Sequence, residues 1–134
     1  FGFSVLAAFR RPVRHPEGWM MINEIFELSH AIRYVATYAN GQLEQRSRRG
    51  IENASSSESD KYEELLVNPT LLKLATQRAN IDCGGLDCIV VGYGNFYQVV
   101  VPTSKGHLSV CVEKSADPIA VANKVIGLVK EKHA

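Results

Sequence analysis

No stretch of this chain stays apolar for the roughly 20 residues that a membrane-crossing helix needs, so no membrane span is expected and the chain reads as soluble. Charge of one sign is missing as well. Lys and Arg number 15 against 14 Asp and Glu, a formal net charge of +1, so no overall field draws the chain to nucleic acid or acidic lipid, and nucleic acid is not expected as a partner. Cysteine is scarce. Cys83, Cys88 and Cys111 are 3 in number and irregularly spaced, which fits neither a disulfide framework nor a zinc knuckle and points to reduced thiols in the cytoplasm. No His, Cys, Asp or Glu set has the close pairing of a zinc site, and neither a metal nor a cofactor is expected.

What is present suits one ordinary domain. The chain has 134 residues, of which 46% are apolar and 22% charged, the balance of a globular protein rather than of a disordered or fibrous one. Residues 1–20 stand apart. Phe1 to Phe9 is apolar and small, and Arg10, Arg11, Pro12, Arg14 and Pro16 follow it; a secretory signal has its basic residues in front, so this order argues against export. This segment reads as an accessory or added arm, with Met20 or Met21 as a native start. The sharper reading is an apolar, basic-ended tail that docks on a partner or a membrane surface. Residues 21–134 read as a single α/β domain.

The pattern from Met21 onward gives eight elements. A short helix is expected where Ile22, Ile25, Phe26 and Ser29 share a face. Ile32 to Ala39 is rich in β-branched and aromatic residues, Asn40-Gly41 suits a type I′ turn, and polar Gln42 to Arg48 suits an edge strand carrying Glu44, Arg46 and Arg48. Gly50 to Ser59 lacks periodicity and reads as an exposed loop. A helical turn through Leu66, capped by Ser59 or Asp60, is expected next, and Asn68-Pro69 then reads as the N-cap and first position of a helix over Pro69 to Arg78. Its buried stripe is expected to be Leu65, Leu66, Leu71, Leu72, Ala75 and Ala79. Three strands follow, Leu86 to Tyr93, Phe96 to Pro102 and His107 to Glu113, and their short turns force an antiparallel meander. Asp117 as N-cap, Pro118 and the stripe Val121, Ala122, Val125, Ile126 and Val129 mark a final helix.

Few residues suggest chemistry. Gly92-Tyr93-Gly94-Asn95 resembles a phosphate loop, but such a loop precedes a helix and this one precedes a strand, so a hairpin turn is the better reading. His107, Ser109 and Cys111 share one strand face. Neighbours two apart on a strand stand roughly 6 to 7 Å from each other, too far for a nucleophile and its base to meet directly, so packing beneath a helix is expected and an enzyme using His107, Cys111 or Cys88 is not. Arg46, Arg48 and Arg49 form a weak basic patch that reads either as a solvated edge or as a rim for a protein partner. Tyr93, Phe96 and Tyr97 are aromatics of the kind that anchor interfaces.

The element order is αββαβββα, with Ile89-Val90-Val91, the strand Tyr97-Gln98-Val99-Val100-Val101, the Gly106 turn and the Asp117-Pro118 helix start in succession. This order resembles the roadblock family of dynein light chains and their prokaryotic relatives over Met21 to about Lys132; profilin-like sensory domains share the architecture. The resemblance implies an α+β fold with a central five-stranded antiparallel sheet, the middle helix on one face and the terminal helices on the other. It also implies a homodimer in which third strands meet edge to edge and middle helices pack, here through Leu71, Leu72, Ala75, Arg78, Ile89, Val91 and Tyr93. It implies a scaffold or regulator of a small Ras-like GTPase, without catalysis, and Arg46, Arg48, Phe96 and Tyr97 are the expected partner surface. The alternative is a small-molecule-binding sensory domain with a pocket between sheet and helix.

Overall fold

Asn40 and Gly41 take positive φ angles of 53° and 78°, the left-handed pair that a two-residue type I′ turn requires. They join β1 (Ile32–Ala39) to β2 (Gln42–Ser47). The computed structural model describes residues 17–132, with side chains from residue 20. Within it, β3 (Ile89–Gly92), β4 (Phe96–Thr103) and β5 (Gly106–Glu113) form the expected meander. All five strands make one antiparallel sheet in the order β2-β1-β5-β4-β3, so β2 and β3 are its two edges.

The helices lie on both faces of the sheet. Helix α1 (Glu17–Phe26) starts ahead of the expected position and takes in Met20 and Met21, because Met21 joins Ile22, Ile25 and Phe26 on one apolar stripe. Of the arm expected over residues 1–20, residues 1–16 lie outside the described residues and residues 17–20 belong to α1. On the same face α4 (Pro118–Lys132) begins as its sequence demands, with Asp117 Oδ1 accepting from the Ile119 N–H at 2.9 Å. Ile22, Ile25, Val121 and Val125 pack there on Val35, Val99, Val110 and Val112, and this is the main core.

The opposite face carries one unbroken helix from residue 57 to 82, made of α2 (Ser57–Tyr62), a π turn (Glu63–Val67) and α3 (Asn68–Asp82). Here the sequence expectation needs correcting. The cap is Ser56, whose hydroxyl accepts from the Ser59 N–H, and Asn68 sits inside the helix with helical φ and ψ of −63° and −44°. Proline at 69 removes an N–H and its ring would clash with the carbonyl four residues back. The wide turn just ahead of it, where the Asn68 N–H reaches back to Glu63 O, relieves that clash without breaking the helix. The buried stripe also shifts. Leu65 and Leu66 are exposed, while Glu64, Asn68, Leu72 and Ala79 face the sheet.

β1 is buried along most of its length because it is an interior strand covered on both faces, and a β-bulge at Arg33 interrupts its alternation. Ile32 pairs with Val112 and Tyr34 with Cys111, so Arg33 is the extra residue and the side chains on either side of it go to opposite faces. The guanidinium of Arg33 is itself buried. It donates to Glu52 O at 2.6 Å and Asn95 O at 3.5 Å and pairs with Glu113 at 3.1 Å, while lying over the Phe96 ring.

Gly106 opens β5 directly against β1. A Cβ built there would stand 1.9 Å from the Tyr38 carbonyl oxygen, a backbone atom that cannot swing aside. Gly106→Ala is therefore expected to cost about 3 kcal/mol or more, as overpacking does, measured as a fall in the denaturant midpoint; a cost near zero would contradict this β1–β5 register.

Candidate functional site

Beneath the long helix the sheet presents a polar face, and Glu64 is its centre. The π turn aims this carboxylate inward, where it has no solvent exposure. Its Oε1 lies 2.8 Å from His107 Nε2 and accepts from Asn68 Nδ2 at 2.9 Å, and its Oε2 accepts from the Tyr34 hydroxyl at 3.1 Å. The Tyr38 ring stacks on His107 with centroids 5.6 Å apart. Next to this group Gln98 Nε2 donates to Ser109 Oγ, and the Cys111 thiol donates to Gln98 Oε1 at 3.2 Å.

His107, Ser109 and Cys111 thus share a buried face under a helix, as their spacing implied, but the group that organises them is one that sequence reasoning misses, because it favours Leu65 and Leu66 over Glu64. The signal is present in the spacing, since Glu64, Asn68 and Leu72 recur every four residues and Ala75 and Ala79 continue the row. The rule that carboxylates face water hides it, and that rule yields when donors converge. Chemically the cluster is a clamp. Ser109 is engaged by Gln98 rather than by His107, and burial pushes the Cys111 thiol well up, which keeps it protonated and unreactive.

Second in the region is Tyr93, whose hydroxyl donates to Glu63 Oε1 at 3.0 Å and ties the β3–β4 turn to the long helix. Burial and the Glu63 carboxylate push the Tyr93 phenol up to about 12, and burial pushes Glu63 up as well. Tyr34 is raised further by burial and by Glu64. Cys88 is raised by burial and by Asp87, whereas Arg78 holds exposed Asp82 below its usual value.

Around this cluster the residues expected at a self-association surface separate into two sets. Ile89 and Val91 on β3 are half-buried and face the helix side of the sheet, opposite Val100 and Gln98. Leu71 and Ala75 are half-buried on α3, and Arg78 is exposed with its partner Asp82 at 2.6 Å. Leu72, by contrast, is buried against the sheet. Not foreseen were Leu74 and Ile81, which are 63% and 75% exposed on the outer side of α3. The outer edge of β3 pairs with no strand among the described residues.

The four residues expected at a partner surface do not form one patch. Arg46 lies over the Phe26 ring at 4.8 Å on the α1 side of edge strand β2. Arg48 is spent on structure, donating to Ile32 O at 2.8 Å and Ser29 O at 3.2 Å. Phe96 and Tyr97 are across the sheet on β4, with β1 and β5 between; Phe96 packs on Tyr93 edge to face and Tyr97 lies under the Lys114 ammonium at 4.1 Å.

The pocket lined by Met21, Tyr38, Lys105, Leu108 and Val129 has a volume of about 90 Å³, below the roughly 300 Å³ at which ligand sites begin, whereas a more open hollow between α3 and the sheet, lined by Tyr38, Pro69, Leu72, Pro102 and His107, has about 430 Å³. Among the described residues no group of three or more His, Cys, Asp and Glu could hold a metal ion, and no helix is long and apolar enough to cross a membrane.

Removing the central carboxylate leaves Tyr34, His107 and Asn68 without their acceptor. Glu64→Ala is expected to cost about 3 to 5 kcal/mol, read as a lower denaturant midpoint at unchanged slope; a loss below about 1 kcal/mol would show that the clamp contributes little. A second expectation concerns alkali. Tyr34 and Tyr93 have folded values raised above the ordinary 10.0, so their contribution is complete below pH 10, where both states are protonated. For Tyr93 it is lost as pH rises from about 10 through about 12, and for Tyr34, which is raised further, the loss continues beyond that range, because the unfolded chain ionises first. Absorbance at alkaline pH should show these two phenols ionising together with unfolding, and Tyr93→Phe should move the onset of unfolding upward. Ionisation of all five tyrosines completed well ahead of unfolding would contradict this.

No family model and no curated protein matches the chain. Solved structures do. A roadblock/LC7 domain from Streptomyces avermitilis superposes with a TM-score of 0.63 at 16% identity, over 85% of this chain and 92% of that one. An MglB structure with a tetrameric arrangement gives 0.60 at 9% identity, over 90% and 93%. The gliding protein MglB from Thermus thermophilus gives 0.56 at 8% identity, over 90% and 94%. With the five-stranded antiparallel sheet, helices on both faces and these neighbours in solved structures, the chain has a roadblock-like fold.

Proposed function

We propose that this chain is a non-catalytic interaction module that pairs with itself and, as a pair, acts as a scaffold or regulator for another protein. The observations that support this are two: Leu74 and Ile81 stand exposed on the outer side of α3, and the outer edge of β3 pairs with no strand among the described residues. Isolated exposed apolar residues are ordinary, but two of this size one helical heptad apart, in a domain that also leaves a strand edge unpaired, offer surfaces that a second copy suits. In such a pair two β3 strands extend the sheet across both subunits, and the α3 helices meet through Leu71, Leu74, Ala75, Arg78 and Ile81, with Ile89, Val91 and Tyr93 beside them. Leu72 holds the monomer together instead.

The partner in this reading is a small Ras-like GTPase or another protein, which the roadblock resemblance implies, and the neighbour described in a tetrameric arrangement agrees with a fold that assembles. The cytoplasm is the proposed setting, in keeping with free Cys83, Cys88 and Cys111.

Light scattering coupled to gel filtration over a concentration series tests the pairing. The expected result is a mass twice the 14.8 kDa of one chain, falling to a single chain in Leu74→Asp and Ile81→Asp with circular dichroism unchanged. Both residues are exposed, so a folding defect is not the expected cause of the change. A wild-type chain that stays at the mass of one copy at every concentration would remove the reading.

A further inference from the structure

At the other edge of the sheet, β2 carries an unused binding edge. The Arg48 N–H goes to Arg33 O at 2.7 Å, which fixes the hydrogen-bond phase of the β1–β2 ladder. By the period of two, Gln42, Glu44 and Arg46 turn their backbone groups toward β1, and Leu43, Gln45 and Ser47 turn theirs outward. β2 is the last strand on that side among the described residues. An open cleft of about 660 Å³ adjoins this edge, lined by Phe26, His30, Arg46, Arg48 and Arg49 with Glu27 as its one carboxylate. None of these arginines forms an ion pair among the described residues. Stacking on Phe26 holds two of the guanidinium groups in place, Arg46 at 4.8 Å and Arg48 at 5.6 Å, so an incoming anion meets cations that are already ordered.

We propose that this edge and cleft take an extended acidic segment of a partner protein as an added strand, its backbone on Gln45 and Ser47 and its carboxylates on Arg46 and Arg49. Outward N–H and C=O groups supply the pairing that strand addition uses, and the arginines supply the choice of partner. The chain's own residues 1–16 do not match, since they carry Arg10, Arg11 and Arg14 and no acidic residue. The proposal rests on the reading of the chain as an interaction module and adds the chemistry of its partner. It does not rest on self-pairing, which uses the β3 edge.

Fluorescence anisotropy of the full chain with a labelled peptide of alternating Thr and Glu, about eight residues long as a strand would be, tests it. Binding is expected at low salt, weakening as ionic strength rises toward about 0.5 M. The double variant Arg46→Glu with Arg49→Glu should bind at least about tenfold more weakly with its circular dichroism unchanged; Arg48 is left alone because it holds the backbone. A peptide with Lys in place of Glu should not bind, and one with Pro at two Thr positions, its charge intact, should lose most of its affinity. The proposal is overturned if the wild-type chain ignores the Thr-Glu peptide, if the double variant binds as wild type, if the Pro peptide binds equally, or if phosphatidylserine vesicles are held through the same arginines while the peptide is not. Mass by light scattering is read on the same samples. Peptide binding lost with the dimer intact counts against this inference alone, and a monomer that binds peptide counts against self-pairing alone.

Discussion

A carboxylate shut away from water must be met by donors, and Glu64 finds them on three elements at once: Tyr34 on β1, His107 on β5 and Asn68 one turn further along its own helix. The donors fix more than the position of one side chain. They set the rotation of the whole helix against the sheet, because turning Glu64 away would leave the buried Tyr34 hydroxyl and His107 ring without their partner. With that rotation fixed, Leu72 and Ala79 point in and Leu74 and Ile81 point out. The apolar residues that α3 shows to solvent therefore follow from a polar contact made earlier in the same helix.

The two faces of the sheet are built on different physics. Toward α1 and α4 the contacts are aliphatic, with Val35, Val99, Val110 and Val112 fully buried, and burial of that kind stabilises without specifying direction. Toward the long helix the polar contacts are hydrogen bonds of Glu64 with Tyr34 and His107, beside bonds within the sheet among Gln98, Ser109 and Cys111; they contribute little net energy when satisfied but tolerate few alternative arrangements. The first face makes the domain stable, and the second makes the helix sit in one way.

That division also explains what could be read in the sequence. The β1–β2 hairpin, the meander and α4 depend on local chemistry, Asn40-Gly41 needing positive φ and Asp117-Pro118 starting a helix, and each stands where the pattern put it except β3, which spans Ile89–Gly92 and not the expected Leu86 to Tyr93. The long helix does not yield to the same reasoning. Asn68-Pro69 has the local look of a helix start, and only the neighbouring π turn makes it an interior pair. Arg33 is hidden for a related reason, since a bulge breaks the alternation by which a strand's faces are assigned. The side chains of the polar cluster are visible as a row on β5; their meaning comes from a residue 43 positions away.

The buried guanidinium of Arg33 has a mechanical consequence. One planar group holds Glu52 O in the loop that follows β2, Asn95 O in the turn between β3 and β4, and the carboxylate of Glu113 at the end of β5. Two segments from opposite margins of the sheet therefore hang on a single hinge pin. A force that draws the Glu52 loop away thus pulls on the same side chain that reaches the Asn95 turn.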